Sequence, residues 1–269
     1  MNSCSGIKGY LLGFLLLAGS IAPVSAALVV NPAMSITHVV TVQPIVVSDD
    51  DGTNTAEFFG TPAQLTSIEG LIDSIWAQAG IAINFLSPNA WNSTFANWGI
   101  DGSPNNGGNA RPTSDLNTII SDGMAAGVTH ADPNVINMFF VSIPAGFSLL
   151  GDDSAAGLAR LNGNGISQYV GANLPGFAEG QEAIASVVAH EIGHNLGLDH
   201  IVSVENLMQA AYSLNPGERL SNPQIATALA SNFSIATAAV PLPGAVWLFG
   251  AALLSLMGLG RKRLNAAWI

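Results

Sequence analysis

Eleven consecutive residues, His190-Glu191-Ile192-Gly193-His194-Asn195-Leu196-Gly197-Leu198-Asp199-His200, carry the densest chemistry in the chain. On a helix, positions i and i+4 share a face, so His190 and His194 can offer two imidazoles to one metal ion, with Glu191 beside them as a base. Gly197 predicts the end of that helix. Glycine accepts the left-handed backbone of a sharp turn without a side-chain penalty, and such a turn would swing His200 round as a third ligand. Three neutral nitrogens with a fourth position open describe a catalytic zinc site better than a closed structural one. The plainer alternative is an amphipathic core helix that carries histidines.

This stretch resembles the zinc signature of the metzincin metalloproteases, HExxHxxGxxH, at every fixed position. Downstream, Met208 stands eight positions beyond His200, in Glu205-Asn206-Leu207-Met208. That distance resembles the Met-turn of the matrixin branch, where a methionine forms an apolar floor beneath the ligands. Upstream, Gly157-Leu158-Ala159 resembles the Gly-x-Ala edge strand whose open backbone pairs with a substrate peptide. A glycine-containing loop is the alternative for those three residues, and core filler for Met208. Ile201 follows the third histidine, where matrixins commonly have Ser, adamalysins Asp, astacins Glu and serralysins Pro, so the branch rests on the Met-turn distance.

The resemblance implies an α/β (α+β) zincin fold, with a twisted mixed sheet above the active helix and a small lower lobe after Gly197. It also implies a zinc-dependent endopeptidase. His190, His194 and His200 would hold Zn2+, which acidifies a water and polarises the scissile carbonyl, and Glu191 would take that water's proton and pass it to the leaving amine. Two other functions stay open: a non-catalytic zinc-binding surface or matrix protein on the same scaffold, and a zinc hydrolase of a non-peptide substrate. Tyr212 and Leu214 are candidates for the pocket wall or for burial in the lower lobe. His130 and Asp132 resemble the start of a structural zinc site, but only His38 remains to complete it, so a single zinc is expected.

The elements that must position these residues are legible in part. Ile36 to Val47 is rich in β-branched residues and predicts a strand interrupted or edged at Pro44. Asp49-Asp50-Asp51-Gly52-Thr53-Asn54 could ligate calcium, but without a bidentate Glu at loop position twelve it reads better as a solvated turn. Pro62 to Gly80 has helical spacing, and Ile81 to Leu86 follows as a strand. Residues 87–113 are dense in Asn, Gly, Ser and Pro and predict a long loop. Ser114 to Ala126 predicts a helix, and Val135 to Ser142 a buried strand. The active helix is expected from about Gly180 to Leu196, with Ile184, Val187, Val188 and Ile192 turned inward. A last helix, Pro223 to Ser231, takes Ser221 or Asn222 as its cap.

The whole chain of 269 residues has 49% hydrophobic residues and a mean hydropathy of +0.40, values raised by two apolar terminal stretches. Between them lie all 18 acidic residues against Arg111, Arg160 and Arg219, a net charge of −15. Such a field repels nucleic acid and anionic surfaces. Lys8, the apolar run Tyr10 to Ile21 and Val24-Ser25-Ala26 have the layout of a secretory signal peptide, which would be removed with Cys4, the only cysteine. Val240-Pro241-Leu242-Pro243, an apolar segment from Gly244 to Gly260 and Arg261-Lys262-Arg263 resemble a PEP-CTERM sorting tail of the VPLP variant. That resemblance implies export by a Gram-negative bacterium, an initial inner-membrane tether, and signal peptidase and an exosortase as processing partners. An ordinary membrane anchor is the alternative for the tail. The expected organisation is a signal peptide at 1–26, a catalytic domain at 27–239, a sorting tail at 240–263 and a short extension at 264–269.

Overall fold

A computed structural model describes residues 28–99, 112–142, 157–169, 180–209 and 217–237. The expected signal peptide, the sorting tail, Cys4, Tyr212 and Leu214 lie outside the described residues. Among the described residues, no helix is long and apolar enough to cross a membrane.

The architecture is a mixed, mostly parallel sheet with helices on both faces. Its centre is β1 (His38–Ser48). Next to β1 on one side run β2 (Ile81–Phe85) and then β3 (Asn89–Asn92), and on the other runs β4 (Ile136–Val141), all parallel to it. Beyond β4 come β6 (Ile166–Tyr169), parallel, and finally the edge strand β5 (Gly157–Ala159), antiparallel to β6. A two-residue strand, β7 (Ile235–Ala236), pairs antiparallel with the start of β1.

Pro44 stands inside the central strand, and β1 runs on through it, contrary to the expected break. The sheet tolerates the missing N–H because β2 pairs with His38 to Val42, β3 pairs with Ile45 to Ser48, and Pro44 falls in the gap between them. Backbone groups of alternate residues address the same neighbour. Leu86 N–H bonds Val42 O at 2.9 Å, so Pro44 faces that same side. There the buried Gln43 amide fills the break, donating to Pro44 O at 2.9 Å and to Ser87 O at 2.8 Å.

β4 is buried at all six positions, and its alternation divides the core in two. Ile136, Met138 and Phe140 join Val40 and Val42 under α1 (Pro62–Ala77) and α4 (Gln181–Asn195). Phe139 and Val141 join Ile45 and Val47 against Trp91, Ala96 of α2 (Thr94–Trp98) and Leu116, Ile119 and Ile120 of α3 (Pro112–Ala125). A capping box between Thr61 and Gln64, with Pro62 in the first turn, starts α1. Its Ile68, Ile72, Ile75 and Trp76 pack on α4 and the sheet. The small α5 (Asn222–Leu229) closes the lower side behind a second capping box, Ser221 with Gln224.

The expected loop over residues 87–113 contains β3 and α2 at its start. NAWN is a poor strand sequence by propensity, and it is a strand here because β1 offers it a free edge from Ile45 onward. On α4, Val188 and Ile192 are wholly buried as expected and Ile184, half-buried, packs against the same core, whereas Val187 is only half-buried. Ala185 and Ala189 share the inward face with Val188 and Ile192, and side chains that small let α1 approach closely.

Candidate metal centre

The turn after α4 follows from Gly197, which takes φ +90°. Leu198 N–H bonds Gly193 O at 2.9 Å and Gly197 N–H bonds His194 O at 2.9 Å, so the chain reverses within two residues and brings His200 back over the helix. The Nε2 atoms of His190, His194 and His200 then stand 3.1, 3.2 and 3.1 Å from one another. Three nitrogens about 2.0–2.1 Å from one tetrahedral ion would be about 3.3 Å apart.

The tautomers explain why this triangle needs a cation. His190 Nδ1 lies 2.7 Å from Leu207 O and His194 Nδ1 lies 2.8 Å from Leu198 O. A carbonyl oxygen only accepts, so both Nδ1 atoms carry the proton, and both Nε2 atoms present lone pairs to each other. Neutral imidazoles in that state repel unless something positive sits between them. Protonation is not the remedy. Burial, with the neighbouring His194 adding to it, pushes His190 down to about 4, and burial also lowers His194. A donor set of three converging imidazole nitrogens, two of them held neutral with the lone pair inward, therefore fits zinc. Among the described residues it is the one group of His, Cys, Asp or Glu side chains placed to hold an ion. Asp49, Asp50 and Asp51 do not converge: Asp49 accepts hydrogen bonds from Asn54, Asn97 and Trp98, Asp50 from Thr94 N–H, and Asp51 from Thr53. His130 bonds within its own turn through Asp132 N–H, and His38 bonds Thr37.

Glu191 is 5% exposed, and its Oε2 has no hydrogen-bond partner. Burial pushes its carboxyl up to about 8. Gly157, the first residue of β5, lies directly against it: a Cβ there would meet Glu191 Cγ at 2.7 Å and Oε1 at 2.9 Å. A methyl group at position 157 must move either the carboxyl or the strand. Gly157→Ala is accordingly expected to lower kcat/KM for peptide cleavage about 10- to 100-fold with bound metal unchanged. Activity equal to that of the parent would show that the contact does not constrain the base.

Met208 is wholly buried, and a Cβ on Gly193 would meet its Sδ at 2.6 Å, so the thioether packs on the helix between the two histidines. Its loop is tied at both ends. Ile201 N–H bonds Met208 O at 2.9 Å, and Asn206 Oδ1 accepts Met208 N–H at 2.9 Å. Asn206 also exchanges two side-chain amide bonds with Gln224, at 2.9 and 3.0 Å, which fastens this turn to the cap of α5. Neither Asn206 nor Gln224 was evident as a supporting residue from sequence. The second capping box marks Gln224, but nothing local pairs it with Asn206. The carbonyls of Leu198 and Leu207, which orient two of the imidazoles, leave no sequence signal at all.

β5 has β6 on one side and no strand on the other among the described residues. The structure thus brings together the three histidines, Glu191, Met208 on the turn that supports the site, and the Gly157-Leu158-Ala159 edge.

Comparison with known proteins gives a match between the Matrixin family model and residues 90–227. No curated protein matches the chain. Similar solved structures include archaemetzincin from Methanopyrus kandleri, at 15% identity and TM-score 0.42 over 70% of this chain and 93% of that one. Metalloproteinase-II from Bacteroides fragilis aligns at 13% identity and TM-score 0.46 over 79% of this chain and 58% of that one. Archaemetzincin from Archaeoglobus fulgidus, complexed with malonate, aligns at 14% identity and TM-score 0.41 over 70% and 99%.

Proposed function

Because the chain belongs to the matrixin family of zinc metallopeptidases, we propose that it is an exported endopeptidase with His190, His194 and His200 as zinc ligands and Glu191 as general base. The observation that carries this reading is the convergence of three Nε2 atoms, those of His190 and His194 with their lone pairs inward, beside a buried carboxyl whose Oε2 has no partner.

Zinc, when bound, supplies Lewis acidity, which acidifies water and polarises the scissile carbonyl. The rest falls to the chain. Leu207 O and Leu198 O hold two imidazoles in the tautomer that leaves Nε2 free. Glu191 accepts the proton of the attacking water and delivers it to the nitrogen of the leaving amine. The open edge of β5 bonds the backbone of an extended peptide and so presents one of its carbonyls to the site. Met208 gives the ligand helix a dry, closely packed support.

The remaining organisation is proposed from sequence: a signal peptide at 1–26, a catalytic domain at 27–239 and a sorting tail at 240–263 that tethers the enzyme to the inner membrane before processing. This would place the cleft at the cell surface or in the surrounding matrix. A peptide-library digest with zinc-loaded protein tests the activity. Cleavage that a chelator stops and zinc restores is expected. Cleavage that survives the chelator, or no cleavage at any pH, would count against the proposal, the latter in favour of a binding module or a non-peptide hydrolase.

A further inference from the structure

We infer that Asn195 is a positioning residue that clamps the edge strand β5 to the ligand helix α4 and so fixes how an extended peptide lies across the metal centre; this rests on the peptidase reading above. Asn195 follows Glu191 by four positions, so the two share one face of α4, turned toward β5 and beside the face that carries His190 and His194. Along that face, Glu191 touches Gly157 at the start of the strand, and Asn195 reaches the turn that follows its end.

Asn195 is 0% exposed. Its Nδ2 lies 2.6 Å from Gly163 O, 3.0 Å from Arg160 O and 3.3 Å from Gly165 O, three carbonyls of the single connection between β5 and β6. Two N–H groups thus serve three acceptors, with the longest contact shared. The amide cannot be reversed, because Oδ1 would then face three carbonyl oxygens. Oδ1 itself has no partner, so the site carries a buried unsatisfied acceptor in order to place this donor. The preceding residue adds a second tie: Asn162 N–H donates to His194 O at 2.7 Å, with Asn162 held at φ +50°.

The clamp matters because β5 has only three residues and, among the described residues, one partner strand. A strand that short has little register of its own, and a slip of one residue would turn its other face to the helix and carry Gly157 away from Glu191. Fastening the turn to the helix that also holds two imidazoles and the base joins strand, base and ligands into one rigid unit.

Asn195→Leu keeps the volume and removes the donor. In the zinc-loaded variant the expected result is unchanged metal content, kcat within about threefold of the parent and KM raised at least about tenfold for a peptide that the parent cuts. Amide hydrogen exchange across residues 157–165 should be at least about tenfold faster, with residues 181–190 unchanged. Asn195→Ser, which is too short to reach the three carbonyls, carries the same comparison if the leucine variant does not fold. Parental exchange across 157–165, or a fall in kcat together with loss of metal, would overturn the assignment. If the parent cuts no peptide, the peptidase reading fails, and the exchange measurement still decides whether Asn195 holds the strand.

Discussion

Glu191→Gln, loaded with zinc, is expected to bind one metal ion per chain and to cleave peptides about a thousand-fold more slowly than the parent. The amide has the shape of the carboxyl, and residue 191 is not one of the three ligands, so metal content should not move, while the proton acceptor is gone. The same substitution has a second, opposite effect. In the metal-free protein, burial raises the Glu191 carboxyl to about 8 from an ordinary 4.5. A group whose folded value lies above its unfolded value contributes stability that is full below the unfolded value and lost as pH rises through the folded one. The Glu191 contribution to the metal-free parent, a few kcal/mol, should therefore be lost between about pH 4.5 and 8, and metal-free Glu191→Gln, which has nothing to titrate at that position, should lack this loss. Denaturant midpoints in chelator at pH 5 and pH 8 measure this. A parent-to-variant difference that does not grow with pH would mean that the carboxyl is not held in the buried, unpartnered state described above. With zinc present the difference should shrink, because a cation nearby favours the carboxylate. A residue that destabilises the empty protein and serves the loaded one is what a site selected for chemistry rather than stability leaves behind.

The parts legible from sequence are those in which a few residues close together carry the whole signal. His190, Glu191, His194, Gly197 and His200 lie within one helix and its turn, so their spacing alone predicts convergence, and the three Nε2 atoms do converge. Gly157-Leu158-Ala159 is an edge strand at the expected place. The helix over Pro62–Ala77 and the buried strand Ile136–Val141 follow from period and composition. What sequence concealed depends on partners far along the chain. NAWN is a strand because of β1, Pro44 is tolerated because two neighbours meet beside it, and Asn206 is fixed by Gln224 across 18 positions. Asn195 lies in the middle of the signature, yet its role emerges only once the carbonyls of residues 160, 163 and 165 are seen around it. An amide's function is set by what surrounds it, which no local pattern records.

Removal of the metal should do more than silence the enzyme. With zinc stripped by a chelator, the lone pairs of His190 and His194 are left facing each other at 3.1 Å, and the turn through His200 loses what draws it to the helix. Cleavage is expected to stop and to return with added zinc, and the melting temperature should fall on stripping. Free zinc at a hundred times its dissociation constant would stabilise the folded chain by about 2.7 kcal/mol. Acid should reach the same state by another route. His190 falls from an ordinary 6.5 to about 4 in the folded chain, mainly through burial. A depressed folded value means a contribution that is full above about 6.5 and lost as pH falls through about 4, because between those limits the unfolded chain binds the proton and the folded chain does not. Protons thus compete with zinc for this imidazole only near pH 4, well below the range of a free imidazole. Zinc retained on dialysis at pH 6 and released as pH approaches 4, with stability declining over the same interval, is the expected outcome. Release already complete at pH 6 would show that the buried pair His190 and His194 does not govern the metal.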